Sequence, residues 1–151
     1  MNLTHLCVSG CVSALLALLG NASAADDRGE VVLSSKQLGF EEIDTTLTFT
    51  RDSERTYKVQ FSNDPPYADL GALYSMFYVC ASRRVAVELG FDRYGIVPDP
   101  KPGKGGTAVF LREGESASQA LASQYANASL LPVDYPTIAA GCDMKASKAR
   151  R

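Results

Sequence analysis

The fold is decided by residues 67–90, which read YADLGALYSMFYVCASRRVAVELG. At 100° per residue, one helical face would carry the apolar and aromatic side chains, with Cys80 on its flank: Leu70, Leu73, Tyr74, Phe77, Ala81, Val85 and Leu89. The other face would carry Ala72, Ser75, Ser82, Arg83 and Ala86. The pattern predicts one amphipathic helix from Tyr67 to Leu89, roughly 35 Å long. We expect Gly90 to end it in the left-handed conformation.

The segment before this helix predicts a β-hairpin. Apolar and polar residues alternate over 43–50 and again over 57–61, with a polar break at 51–54 between them. Period-two alternation is typical of strands with one buried face. A shorter apolar run, Val31–Leu33, predicts another strand. The apolar face of the hairpin is the expected partner of the helix.

The segment after the helix predicts two more strands and a weaker helix. The strands are Phe91–Val97 and Thr107–Arg112, separated by a loop at 98–106 that is rich in proline and glycine. Ser116 would cap a helix that extends to about Ala128. The final stretch, 130–144, contains prolines at 132 and 136 and is expected to be irregular.

These elements predict an α+β fold: a small, antiparallel-leaning sheet with one long amphipathic helix packed across one face. In this arrangement Phe77 is buried against the strands at Tyr57–Phe61 and Tyr94–Val97, and Arg83 faces solvent.

The first 24 residues are typical of a cleavable signal peptide. They contain no Lys, Arg, Asp or Glu, and an apolar stretch from Leu6 to Leu19 leads to Ala22-Ser23-Ala24. We expect cleavage between Ala24 and Ala25, which leaves residues 25–144 as a single domain and 145–151 as a basic tail. A membrane anchor is the alternative, although the run is shorter than the roughly 20 residues that span a bilayer. Lipid attachment at Cys11 is another alternative, but most of the apolar stretch follows that cysteine.

Charge limits the possible partners. Residues 25–144 hold 11 basic and 17 acidic residues, a net charge of −6, whereas the last seven residues hold four basic residues and no acidic one. An acidic surface disfavours nucleic acid, whose phosphates require basic partners. The tail is expected to be solvated, with contact to an anionic surface as the alternative.

The missing residue types limit the chemistry. His5 is the only histidine and belongs to the predicted signal peptide, so the mature chain has neither His nor Trp. This excludes Ser-His-Asp and Cys-His catalysis and His-ligated zinc in the mature chain. Cys80 and Cys142 are the two cysteines that remain. In an exported chain an even number favours a disulfide, worth roughly 4 kcal/mol for a loop of this length, with two free thiols as the alternative.

Several polar groups are candidates for a site, and each also has a structural explanation. Gly103–Thr107 could hold a phosphate, but the spacing is not that of a P-loop, and an inter-strand loop is favoured. The carboxylates are expected to be surface acids: Glu41, Glu42, Asp44, Glu113 and Glu115. Arg83 and Arg84 could hold an anion, or Arg84 could pair with Glu88. The tyrosines at 67, 74 and 78 could line a pocket but are expected in the core.

A stretch of about 40 residues resembles a group of small bacterial envelope proteins, many of them lipoproteins of unassigned function. It comprises Tyr57-x-Val59-x-Phe61, Cys80-Ala81, 87–91 and 94–97. The resemblance implies an envelope location and an α+β fold, and it carries over no catalytic residue. This chain departs from the group because it lacks a well-placed cysteine for lipid attachment.

Together these observations predict an exported protein, periplasmic or secreted, that is non-enzymatic and acts by binding or in the envelope. A protein partner is favoured over a small molecule, with no nucleic acid and no transmembrane segment after signal cleavage. No catalytic, cofactor or metal residue is expected. The alternatives are a cell-wall hydrolase that works through carboxylates, and an inhibitor or immunity-type protein.

Overall fold

The computed structural model describes residues 29–63, 71–99 and 105–150. The predicted signal peptide and its cleavage point between Ala24 and Ala25 lie outside these residues. So do Tyr67, Leu70 and the first residues of the Gly103–Thr107 loop.

The described residues form six strands, three α-helices and two short 3₁₀ turns. The strands are β1 (Glu30–Ser34), β2 (Thr46–Arg51), β3 (Thr56–Phe61), β4 (Arg93–Pro98), β5 (Gly106–Leu111) and β6 (Leu131–Pro132). The helices are α1 (Gly71–Glu88), α2 (Ala117–Ala120) and α3 (Pro136–Lys148), and the 3₁₀ turns are Lys36–Leu38 and Ser123–Tyr125.

The strands form one antiparallel sheet in the order β1-β2-β3-β5-β4-β6. The predicted hairpin is β2–β3, in which Leu47 pairs with Phe61 and Phe49 with Val59. The predicted short strand at Val31–Leu33 is confirmed as β1, at the edge of the sheet. Chain order and sheet order differ at one place, because α1 connects β3 to β4 and β5 then enters between them. The α+β class with an antiparallel sheet is therefore confirmed.

Helix α1 packs on the sheet as its apolar pattern predicts. Phe77 is fully buried and lies in one core with Leu47, Phe49 and Val59. Gly90 follows the helix with φ +73°, so the predicted stop is confirmed. The prediction that Ser82 and Ala86 are on the exposed face is wrong, because both are fully buried. Helix α1 contacts β4 and also α3, so more than one stripe of it is covered.

The prediction of an irregular stretch at 130–144 is also wrong, because this stretch contains β6 and most of α3. Pro136 is at the start of α3, where its missing N–H costs nothing, so the proline begins a helix instead of preventing one. The disulfide between Cys80 and Cys142 is confirmed and joins α1 to α3, with Cα atoms 5.4 Å apart. The long helix is thus accompanied by a second one, which continues into the basic tail at Lys145.

The predicted helix from Ser116 to about Ala128 is shorter than expected. It consists of α2 and the 3₁₀ turn at Ser123–Tyr125, and the Ser116 side chain makes no capping hydrogen bond. Leu121 is extended and ends α2, and both Leu121 and Tyr125 are buried against Val109 and Leu111 of β5.

The two halves of the sheet are covered differently. Strand β5 is buried on both faces, since Ala108 and Phe110 face the main core and Val109 and Leu111 face the α2 side. On the α2 side, β1–β3 present a surface that we call the open sheet face. Its residues are Glu30, Val32, Ser34, Thr46, Thr48, Thr50, Lys58 and Gln60. At the β3 end of this face Thr56 is buried and Tyr125 approaches Lys58, whereas Glu30, Val32, Thr50 and Gln60 are exposed.

Among the described helices, none has the length and apolar character needed to cross a bilayer.

Candidate functional site

A groove lies between the turn that joins β2 to β3 and helix α2. Its volume is about 420 Å³, and it is lined by Ser53, Glu54, Arg55, Glu115, Ala120 and Ala122. Arg55 and Glu115 are its central charged pair, and we call it the Arg55 groove. Because Arg55 immediately precedes β3, the groove adjoins the β3 edge of the open sheet face.

Arg55 is the central residue of the groove. Its Nε lies 3.1 Å from Glu115 Oε2 and its Nη2 lies 2.7 Å from Glu115 Oε1, so the guanidinium holds the carboxylate with two parallel bonds. Its remaining nitrogen, Nη1, donates to Glu54 Oε1 at 2.6 Å. Arg55 therefore bridges two carboxylates, and its side chain is only 14% exposed.

Glu115 is fixed by the backbone as well. The N–H of Arg112 donates to Glu115 Oε2 at 2.6 Å, and the Arg93 guanidinium donates to the carbonyl oxygen of Glu115. The hydrogen bond from Arg55, aided by that from Arg112, lowers the pKa of Glu115 below its ordinary value. The same bond to Glu115 raises the pKa of Arg55. Both groups are therefore charged at neutral pH.

An aromatic cluster supports the pair from the core. The guanidinium carbons of Arg55 and Arg112 lie 5.5 and 5.7 Å from the centroid of the Phe91 ring. Phe91 in turn stacks on Phe110 of β5, with centroids 5.3 Å apart. Cation–π contacts of this kind hold a guanidinium in place without neutralising it. The charged wall of the Arg55 groove is therefore packed against the aromatic core.

The chemistry of the groove follows from its charges. Glu54 and Glu115 outnumber Arg55 in the lining itself, but Arg93 and Arg112 adjoin Glu115, so the surroundings of Glu115 are not negative overall. The Glu54 side chain is 69% exposed and remains open to a further partner. A general acid near neutral pH needs a raised pKa, whereas the pKa of Glu115 is lowered. The arrangement does not suit proton transfer, and Glu54 is the carboxylate that a cationic group can reach.

The other predicted acids are on the surface, and Glu115 is the exception. Asp44 pairs with Lys36 at 3.2 Å and Glu42 with Lys145 at 3.2 Å. Glu41 and Glu113 are exposed. The expectation that Glu115 is an ordinary surface acid is wrong, because Arg55 holds it across 60 residues of chain.

The glycines of the Gly103–Thr107 loop have a packing role where the structure describes them. Gly105 has φ +102°, and a Cβ there would lie 1.9 Å from the carbonyl oxygen of Val59. A Cβ on Gly106 would lie 2.4 Å from the carbonyl oxygen of Val97. These close approaches require glycine, and β5 follows directly, as expected of an inter-strand loop.

The two adjacent arginines differ in environment. Arg84 pairs with Glu88 at 2.5 Å, as its spacing predicts. The prediction that Arg83 faces solvent is wrong, since its side chain is only 19% exposed. Its Nε donates to the carbonyl oxygen of Val133 at 2.5 Å and its Nη1 to Asp143 at 3.1 Å. Arg83 therefore connects α1 to the C-terminal segment through the Val133 carbonyl and the Asp143 carboxylate.

The tyrosines of α1 belong to the core. Tyr74 and Tyr78 are buried and contact the Phe61 ring edge-on, with centroids 5.8 and 5.7 Å away. Burial raises the pKa of Tyr78. The hydroxyls of Tyr78, Ser82 and Tyr94 are buried with no hydrogen-bond partner among the described residues.

Arg55, the residue on which the groove depends, is not marked by any pattern in the sequence. It lies in the polar break before β3, where a charged side chain is expected and does not indicate a site. Its partner is 60 residues away, so no local spacing relates the two. The contact of Phe91 with Arg55 and Arg112 cannot be read from the order of the residues either.

Within the described residues, no group of three or more His, Cys, Asp or Glu side chains could hold a metal ion. Comparison of the chain with protein-family models, with curated proteins and with solved structures finds no match.

Proposed function

We propose that this chain is an exported, non-enzymatic binding protein whose partner is a protein. We further propose that it binds this partner through the open sheet face, with the Arg55 groove at one end of the interface. The observation that carries the proposal is the uneven coverage of the sheet, in which β5 is buried on both faces, whereas β1, β2 and the Lys58–Gln60 part of β3 are buried on only one.

The composition of the open sheet face supports a protein partner. Most of its side chains carry a hydroxyl group, Gln60 carries an amide and Val32 is apolar. Glu30 and Lys58 are its only charged residues. A nucleic acid would require several basic residues, and small molecules favour concave apolar sites. The low charge of this face is the feature that it shares with the centres of protein–protein interfaces, where charged residues are depleted.

The Arg55 groove supplies a position for an anchoring residue. Its exposed carboxylate is that of Glu54. A lysine or arginine of the partner would neutralise it, and arginine is common among residues that dominate interface energies. This is consistent with the inhibitor-type alternative, in which an acidic protein covers a basic site.

Two further observations support export and a non-enzymatic role. The Cys80–Cys142 disulfide is typical of proteins from oxidising compartments. A carboxylate-dependent hydrolase, the alternative function, needs one carboxyl group that stays protonated. Both carboxylates of the groove instead bond to Arg55.

The test is native capture from envelope extract with matched variants. Thr48→Arg places a long cation on the open sheet face, and Ser75→Arg places it on the exposed surface of α1. We expect a protein captured by the wild type and by Ser75→Arg to be lost with Thr48→Arg. Purified partner should then bind the wild type at least tenfold more tightly than Thr48→Arg in titration calorimetry.

Two results would contradict the proposal. One is a partner that binds both variants equally. The other is release of soluble fragments from purified cell wall by the wild type but not by Glu115→Gln, which would instead support the hydrolase.

A further inference from the structure

Strand β1 is the long free edge of the sheet, and its hydrogen-bond pattern identifies which groups point outward. The N–H of Ser35 donates to the carbonyl of Thr45, and the N–H of Arg51 donates to the carbonyl of Gly29, each at 2.9 Å. Bonding residues alternate along an antiparallel pair. Therefore Gly29, Val31, Leu33 and Ser35 bond to β2. The backbone groups of Glu30, Val32 and Ser34 point away from the sheet.

One of these outward groups is already occupied. Gln37 Oε1 accepts the N–H of Ser34 at 2.8 Å. The backbone groups of Glu30 and Val32 bond to no other described residue. An edge with unpaired backbone groups is a template for another strand.

We infer that a second copy of this chain pairs with β1, edge to edge and antiparallel, about a two-fold axis at Val32. This register places Val32 opposite Val32 of the other copy and Glu30 opposite Ser34. Backbone bonds then form between the two Val32 residues and from each Glu30 N–H to the opposing Ser34 carbonyl. On the core side, Val31 of each copy meets Leu33 of the other.

Side chains and charge fit a second copy. Val32 is one of the few large apolar side chains among the described residues that are exposed, at 43%. The pairing covers this side chain. The charges around the edge are balanced, with Glu30 and Asp44 against Lys36 and Arg51. Two acidic bodies can therefore approach at this edge without local repulsion.

The opposite edge of the sheet explains why pairing would end at two copies. Strand β6 is only two residues long and includes Pro132, which has no N–H to donate. An isologous contact through a single long edge closes as a dimer and does not propagate. The dimer would contain one continuous sheet, with both open sheet faces on the same side.

The test is the mass of the oxidised protein in solution, measured by light scattering and sedimentation up to about 0.1 mM. We expect a dimer for the wild type. Val32→Lys places two ammonium groups on the axis and should weaken the dimer at least tenfold. Val87→Lys is the matched control, because Val87 is an exposed valine on α1, and it should leave the dimer unchanged. Circular dichroism should find both variants folded.

A second variant tests the edge itself. Gln37→Ala frees the Ser34 N–H, adds one bond at each end of the pairing and should tighten the dimer roughly tenfold. A monomeric wild type at the highest concentration would overturn the inference. So would a dimer that Val32→Lys leaves intact, or one that Gln37→Ala fails to tighten.

Discussion

Helices α1 and α3 are joined by one disulfide but are held to the sheet in different ways. Helix α1 is embedded, with Phe77, Ala81, Val85 and Ala86 fully buried. Helix α3 has Cys142 in the core and exposes most of the rest, including Met144. Apart from Ile138, which packs against the core, its attachments are separate: the disulfide, the Arg83–Asp143 bond, the Lys145 pair and a close approach to Gly39. The difference indicates that apolar burial stabilises α1 and that individual links hold α3.

The largest expected effect is on α1. Phe77→Ala should lower the free energy of unfolding by about 3–5 kcal/mol, because it removes a fully buried ring that contacts Phe40 and leaves a cavity. Chemical denaturation with the disulfide intact measures it. The control is Val87→Ala on the exposed side of the same helix, which should cost less than about 0.5 kcal/mol. Similar losses for the two would mean that α1 is not embedded as described.

Removal of the disulfide should affect α3 more than α1. The double variant Cys80→Ala with Cys142→Ala should lose up to about 4 kcal/mol, since the bridge closes a loop of 62 residues. Hydrogen exchange should then become fast in α3 while α1 remains protected. If the two helices lose protection together, α3 is held by packing, and the comparison fails.

Gly39 tests the close approach of α3. It has φ +77°, and a Cβ there would lie 1.9 Å from the carbonyl oxygen of Lys145, so Gly39→Ala must displace α3. We expect a loss of about 2–3 kcal/mol by thermal unfolding. Gly114→Ala is the control, because Gly114 has φ +76° with nothing within 4 Å. It should show only the backbone strain, about 1 kcal/mol. Equal losses would exclude a contribution from the α3 contact.

Arg83 and Arg84 allow the stability contribution of a partly buried polar contact to be compared with that of a surface ion pair. Arg83→Ala should cost about 1–2 kcal/mol, because it leaves the Val133 carbonyl without its donor and breaks the bond to Asp143. Arg84→Ala removes an exposed pair with Glu88 and should cost less than about 0.5 kcal/mol. Denaturation curves of the two variants decide it. A larger loss for Arg84→Ala would contradict the assigned contacts.

The smallest expected effect is at Lys145. Its ammonium group lies 3.2 Å from Glu42 and 5.1 Å from the Phe40 ring centroid. Lys145→Ala should cost about 0.5–1 kcal/mol. Part of this loss should disappear in high salt, which screens the exposed ion pair more than the ring contact. Lys36→Ala removes an ion pair with Asp44 in which both side chains are exposed, so it should leave the free energy of unfolding almost unchanged. Identical behaviour of the two would mean that Phe40 does not contribute.

Much of the fold was predictable because its signals are local. The alternation in β2 and β3 and the apolar face of α1 come from side chains a few residues apart. Helix α3 was missed because Pro136 looks like a helix breaker and few apolar residues mark its inner face. The apolar pattern predicts one buried face for α1, so it does not predict the burial of Ser82 on the other face.

The candidate site was less predictable than the fold. Glu115 was noticed, but its role depends on Arg55, which approaches it only after β3 and β5 have paired. The open sheet face could not be anticipated either. Whether a half-polar strand is left uncovered depends on where α2 and the turn at Ser123–Tyr125 lie.

The sequence by itself determined the elements whose cause is periodicity and backbone preference: the hairpin, the long helix and the stop at Gly90. It also determined the absence of histidine from the chain after His5, and with it the chemistry that residues 25–151 cannot perform. Only the tertiary structure decided three features: the insertion of β5 between β3 and β4, the helix α3 that contains Cys142, and the Arg55 groove. The physical reason is the separation along the chain. A periodic pattern reflects contacts between residues a few positions apart, whereas an ion pair between residues 60 positions apart forms only once the chain has folded.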